Sequence, residues 1–331
     1  LKNRSFSLWL DFIERSYLKD DFKRLLDRGD VIGATSNPTI FANAIKNSTA
    51  YSEQLKGLKD KSPKEKYEAL AITDIKTAAQ VLRPLYNRGE DGYVSIEVDP
   101  TLSDNIGATV AEAKRLFKAI DEPNVMIKIP ATEAGFRAMY ELMSDGISVN
   151  ATLVFSPEQA QKSFTAMTRG ISKCEADGGC RVEGVISVFV SRFDRKLDKS
   201  LEKRGIEPSK TGIYNASKIY NMVEKNSIPN IRTLFASTSV KGDNLPQDYY
   251  ITNLIAPHSI NTAPLNTINA YLERENIKEE DALPISKGEI DNYFDNLEAN
   301  GINMDKVYRE LLDEGLKAFE NSFAELLDIL K

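Results

Sequence analysis

Tyr93-Val94-Ser95-Ile96-Glu97-Val98 and Val125-Met126-Ile127-Lys128-Ile129 are two short runs in which polar side chains interrupt an apolar pattern. A parallel strand covered by helices on one face and a core on the other should read apolar throughout. Here Ser95 and Glu97 share one face, opposite Val94, Ile96 and Val98, and Met126 and Lys128 share a face opposite Ile127 and Ile129. The two-residue period sends the polar set inward and the apolar set to a helix layer.

Working outward, six further runs match in length and character: 8–12, 31–35, 148–154, 184–190, 232–237 and 250–255. Helical periodicity separates many of them. The segment 65–87 repeats apolar residues near every 3.6 positions, and Asp104 to Ile120 and Thr132 to Met143 do likewise. Pro157 directly after Ser156 marks a helix start over 157–169, and Ser286 with Glu289 fits a capping box opening 286–299. Asp305 to Leu330 reads as one long amphipathic helix or a pair. Eight βα units predict an α/β fold, a (β/α)₈ (TIM) barrel with additional C-terminal helices. The expected arrangement is one barrel domain over 1–331, with helices 286–331 packed on its outside. An open doubly wound sheet would carry a glycine-rich turn after its first strand; this chain has Asp11-Phe12-Ile13-Glu14-Arg15 there.

Composition narrows the function. The formal net charge is −6, against the basic surface a general nucleic-acid binder needs. No apolar run is long enough to span a bilayer, so no membrane partner is expected. The opening Leu1-Lys2-Asn3-Arg4 leads into no signal-like apolar block, and a cytoplasmic location is the expectation. Cys174 and Cys180 flank a turn-like Glu-Ala-Asp-Gly-Gly and are expected as free thiols. With one histidine, His258, no ordinary metal site is expected, and His258 reads as a loop or packing residue beyond the eighth run. There is no phosphate-loop motif and no Gly-x-Ser-x-Gly elbow.

The polar inward positions gather at the C-terminal ends of the strands, where this fold places its chemistry. They include Asp11 on the face of Trp9, Asn150 and Thr152 in the fifth run, and Ser187 in the sixth. Burying a lysine with two carboxylates is costly without compensation. Desolvation favours the neutral amine of Lys128, and a neutral amine can attack a ketone to form an imine that acts as an electron sink. Asp11 and Glu97 are then the available acid/base pair. A buried ion pair without chemistry is the competing explanation.

Ala34-Thr35-Ser36-Asn37-Pro38-Thr39-Ile40 resembles the signature that follows the second strand of the transaldolases, and Val125 to Thr132 resembles the segment bearing their Schiff-base lysine. Ser95 to Asp99, Asn150 to Ser156 and Ser187 to Arg192 are also similar to that family. The resemblance covers roughly residues 5–275. It implies Lys128 as Schiff-base nucleophile, Asp11 as acid/base for the substrate hydroxyl proton, and Glu97 as acid/base acting through a water that Thr152 helps hold. It further implies Asn37 and Asn150 on donor hydroxyls, Thr35 and Ser187 lining the pocket, and Arg192 on the distal phosphate. The implied reaction moves a dihydroxyacetone unit from sedoheptulose 7-phosphate to glyceraldehyde 3-phosphate, with no metal and no separate cofactor. Its partners would be phosphorylated ketoses and aldoses, and the chain is compatible with a monomer or a homodimer. After the seventh run the chain departs from the best-known pattern. In Ala236-Ser237-Thr238-Ser239-Val240-Lys241, Ser239 stands where an arginine is usual. Ser237 and Lys241 are then the auxiliary phosphate donors. A plain aldolase and a catalytically silent sugar-phosphate binder are the rival functions; the chain's length and the retained Asp11, Glu97 and Lys128 favour the transferase.

Overall fold

The structure, a computed structural model, describes residues 6–179, 181–242, 244–274 and 280–331. Strands β1 (Phe6–Leu10), β2 (Gly33–Thr35), β3 (Val94–Glu97), β4 (Val125–Pro130), β5 (Val149–Val154), β6 (Gly184–Phe189), β7 (Ile231–Ala236) and β8 (Ser259–Ala263) form a closed parallel barrel in sequence order. Closure is direct, β1 pairing β8 from Phe6↔Ser259 to Leu10↔Ala263. The expected (β/α)₈ architecture is therefore present, with further helices at Lys287–Ala299 and Met304–Ile329.

Seven of the expected runs coincide with strands, give or take their end residues. The eighth does not. Residues 250–255 include the short helix Tyr249–Thr252, and Ile251, Leu254 and Ile255 bury in the outer core. An apolar run of this length cannot be told from a buried helix by composition alone. The real strand, Ser259-Ile260-Asn261-Thr262-Ala263, is half polar and escaped notice for that reason. His258 consequently precedes β8, at the end of the barrel opposite its mouth. Its ring nitrogens lie 3.0 Å from Glu224 Oε1 and 3.0 Å from the Pro229 carbonyl.

Helix starts follow local chemistry. Ser156 accepts from the Gln159 amide, and the Gln159 side chain returns to the Ser156 amide, with Pro157 in the first turn of Pro157–Ala176. Ser62 and Glu65 form the same reciprocal box on Pro63–Arg88. At Ser286 half of the expected box is present: its hydroxyl accepts from the Glu289 amide, while the Glu289 carboxylate accepts from Tyr214 Oη. Cys174, expected as a free thiol, is disulfide-bonded; Cys180 lies outside the described residues.

The barrel's two ends differ. At the N-terminal end Arg232 grips Asp91 at 3.0 and 3.1 Å, and the Trp9 indole N–H donates to Asp91 at 3.0 Å. This paired network closes the floor, and its balanced charges serve the fold. At the C-terminal end the polar strand residues face the barrel's mouth. The expectation placed residues 286–331 outside the barrel, but the last helix, Met304–Ile329, passes over that mouth. Its Gly315 packs on Leu153 and Phe155, and its Phe319 ring lies 5.9 Å from Lys128 Nζ. No helix among the described residues is long and apolar enough to cross a membrane.

Candidate active site

Lys128 and Glu97 are register partners on neighbouring strands, which puts their side chains on the same inner face. Both are buried, and Lys128 Nζ lies 3.8 Å from Glu97 Oε2. That is an ion-pair distance, too long for a hydrogen bond. The ammonium donates instead to the Ser36 carbonyl at 3.1 Å. Neither Glu97 oxygen has a protein hydrogen-bond partner, nor does the buried Thr152 hydroxyl. Burial pushes the Glu97 carboxyl up to about 7; the charge of Lys128 opposes that shift and Asp11 adds to it.

Asp11 follows β1 and points to the same centre. Burial raises its pKa, against the opposing effects of Lys128 and of a hydrogen bond from Thr35. Thr35 Oγ1 lies 2.6 Å from Asp11 Oδ1 and 2.6 Å from Thr262 Oγ1. On the other flank Ser187 Oγ donates to Asn150 Oδ1 at 2.6 Å, and Asn150 Nδ2 donates to Ser95 Oγ at 3.1 Å. The Asn150 amide is thus held in one orientation beside Lys128, its register neighbour. A register shift between Ala151 and Val154, with Leu153 at φ 56°, ends the alternation that had set Leu153 on the helix side. Leu153 joins the aromatic cluster at the mouth instead.

Asn37 caps the helix Pro38–Asn47, its Oδ1 accepting from the Ile40 amide at 3.0 Å. The cap occupies the oxygen and leaves the amide N–H groups as donors. Arg192 opens the helix Ser191–Glu202 and lays its guanidinium over Phe189 at 5.0 Å and Phe155 at 6.0 Å. Among the described residues it has no carboxylate within ion-pair distance. Burial, reinforced by Arg195, lowers it to about 10, which leaves it charged at neutral pH and open to an anion. Ser237, at φ 55°, faces Ser191 with their hydroxyls 3.0 Å apart. Lys241 is exposed on the following loop and makes no hydrogen bond or ion pair with a described residue.

Thus the structure brings Lys128, Glu97, Asp11, Thr152, Thr35, Asn150 and Ser187 together, sets Arg192 and Ser237 at the rim, and leaves Lys241 exposed on the loop that follows. Sequence reasoning missed Ser36, whose contribution is a backbone carbonyl that no side-chain pattern reveals. It missed Thr262 through the misplaced eighth strand, where the adjacent polar pair Asn261-Thr262 breaks any polar–apolar alternation. Phe319, far along the chain, had none. Among the described residues no cluster of three His, Cys, Asp or Glu is placed to hold a metal.

A buried lysine flanked by two carboxylates at the mouth of a parallel barrel is the constellation of an enzyme that activates carbonyl groups covalently. The chain belongs to the transaldolase/fructose-6-phosphate aldolase family, whose model matches residues 8–330. It is 46% identical to a transaldolase of Campylobacter jejuni (strain RM1221), over 99% of this chain and all of the relative. It is 43% identical to a transaldolase of Helicobacter pylori (strain Shi470), over 98% of this chain and 99% of the relative.

Proposed function

We propose that this chain transfers a dihydroxyacetone unit from sedoheptulose 7-phosphate to glyceraldehyde 3-phosphate, giving erythrose 4-phosphate and fructose 6-phosphate, with Lys128 as the covalent carrier. The unprotonated Lys128 amine adds to the donor's keto carbon. Glu97, acting through a water that Thr152 helps hold, moves the protons that turn the carbinolamine into an imine. Asp11 takes the proton of the donor's C4 hydroxyl as the C3–C4 bond breaks, and the electron pair passes into the imine to leave an enamine on Lys128. The aldose phosphate departs, the acceptor aldehyde enters, and Asp11 returns the proton as the new carbon–carbon bond forms. Water handled by Glu97 then adds to the product imine, breaking the C–N bond to free fructose 6-phosphate and the Lys128 amine. Asn37 and Asn150 hold the three-carbon unit's hydroxyls, while Thr35 and Ser187 orient Asp11 and Asn150. Arg192, with Ser237 and Lys241 as further donors, binds the distal phosphate of donor and acceptor. The chemistry calls on no metal and no separate cofactor, and a cytoplasmic location suits sugar-phosphate substrates.

The observation that carries this reading is Glu97: a buried carboxylate raised to about 7 at ion-pair distance from Lys128, with neither oxygen accepting a hydrogen bond from a described residue. A structural ion pair would satisfy its acceptors; a proton shuttle needs them available for water. The test is borohydride reduction in the presence of fructose 6-phosphate, with and without erythrose 4-phosphate, followed by peptide mass mapping. One dihydroxyacetone-derived group is expected on Lys128, and transfer to erythrose 4-phosphate should outpace release of free dihydroxyacetone. Faster release than transfer would instead identify a plain aldolase.

A further inference from the structure

We propose that Phe319, on the helix that crosses the mouth, is the residue that keeps water from the Lys128-bound intermediate and so sets the balance between transfer and release. The proposal rests on the Schiff-base reading above. Phe319 is buried, and its ring centroid lies 5.9 Å from Lys128 Nζ. It also meets Phe189 at 6.5 Å, and Phe189 in turn lies under the Arg192 guanidinium. Phe319 is one of several aromatic residues in the apolar cluster with Leu153, Phe155 and Phe189. This one presents its ring toward the amine that becomes a cationic iminium, a favourable pairing.

The helix is built to approach closely here. One turn before Phe319, a Cβ on Gly315 would sit 3.0 Å from Leu153 Cδ2 and 3.2 Å from an Arg192 guanidinium nitrogen. A side chain at this position would have to push the Leu153 methyl and the Arg192 guanidinium aside by a few tenths of an ångström. Both flanks are anchored: Lys196 pairs with Glu310 at 2.9 Å and Glu314 at 2.7 Å, and Thr39 Oγ1 donates to Ser322 Oγ at 2.9 Å. The ring is therefore held over the site by contacts on either side of it.

The reaction it would suppress is hydrolysis of the carrier. Protonation of the enamine at C3 converts its C=C pair into a C–H bond and leaves an iminium. Water then adds to C2, the C–N bond breaks, and dihydroxyacetone departs while Lys128 regains its ammonium. Keeping bulk water from C3 removes the proton source, so the enamine persists until the acceptor arrives, while the water held by Glu97 and Thr152 serves only the imine.

Phe319→Ala and Phe319→Leu would be assayed with fructose 6-phosphate, comparing dihydroxyacetone release without acceptor to transfer onto erythrose 4-phosphate. The ratio of release to transfer should rise roughly tenfold or more in the alanine variant, and less in leucine, with borohydride trapping at Lys128 retained. In D₂O the released ketone should carry solvent deuterium at C3. Release and transfer falling in proportion, with trapping intact, would overturn the inference alone. Absence of trapping at Lys128 in the unsubstituted protein would overturn the Schiff-base reading itself. If the alanine variant fails to fold, an unchanged ratio in Phe319→Leu decides against the role.

Discussion

Thr35 Oγ1 lies 2.6 Å from Asp11 Oδ1, so a residue on β2 fixes the carboxylate that follows β1. The hydrogen bond stabilises the ionised form of Asp11, the form that accepts a substrate proton. Asp11→Asn and Glu97→Gln keep shape and remove proton transfer. Each should lower kcat by roughly 10²- to 10⁴-fold, the usual scale for a positioned acid or base. The free-enzyme profile of kcat/KM against pH should carry an inflection near 7 that Glu97→Gln abolishes, since Glu97 titrates there. Near-unchanged rates in either variant would return that residue to a structural role.

Lys128→Ala should abolish trapping and transfer while the chain stays folded, because it removes a charge and introduces none. Glu97 loses the cation that opposes its upward shift, so its carboxyl should titrate higher still. Carbon-13 NMR of labelled glutamate would read that movement, and covalent trapping at another lysine with normal transfer would refute the assignment.

The rim separates two phosphate donors. Arg192 is half-buried with no carboxylate of the described residues within ion-pair distance, whereas Lys241 is exposed. Lys241→Ala should weaken use of fructose 6-phosphate more than use of an unphosphorylated donor, and Arg192→Ala should do so more strongly, because a planar fork holds phosphate better than a mobile point charge. The comparison belongs at fixed ionic strength, since exposed charges are screened. Equal loss of kcat/KM for both donors in Lys241→Ala would remove that lysine from the phosphate site.

Gly33 lies beneath the Trp9 indole, with the position of a Cβ 2.5 Å from ring atoms. Gly33→Ala should destabilise the barrel by about 1–3 kcal/mol, the cost of overpacking a filled core. Trp9 is the only tryptophan, so its fluorescence should report both the shifted ring and the lowered unfolding midpoint. Unchanged emission and midpoint would show that the floor is looser than this contact requires.

Asp194 is buried between helices, accepting from the Gly212 amide at 2.9 Å and Tyr250 Oη at 2.8 Å. Burial raises it to about 7, against those hydrogen bonds. The folded state then holds a proton that the unfolded state loses near pH 4, so this group's contribution to stability falls as pH rises from about 4 to about 7. Asp194→Asn lacks that titration. The melting temperature of the unsubstituted protein, measured relative to the variant, should decline across that window; parallel curves would rule the effect out.

How far the site could be read from the chain depended on where each contact originates. Lys128, Glu97 and Asn150 betray themselves locally, because a polar residue inside an apolar strand is conspicuous and period two assigns its face. β8 was misplaced because Tyr250 to Ile255 is more apolar than Ser259 to Ala263, and hydrophobicity is a poor guide where three of the true strand's five residues are polar. Thr262 was lost with it.

What the sequence by itself determined was the repeating βα order, the inward face of most strands and the residue types at the centre, all consequences of short-range periodicity. Only the tertiary structure decided that Asp11 meets Thr35 and Thr262, that the Ser36 carbonyl receives Lys128, and that Gly315 and Phe319 cross the mouth. Those contacts join residues 24 to 227 positions apart within the barrel, and the helix lies nearly 200 positions beyond Lys128. Barrel closure and helix docking create them, and neither leaves a mark on the local pattern of side chains.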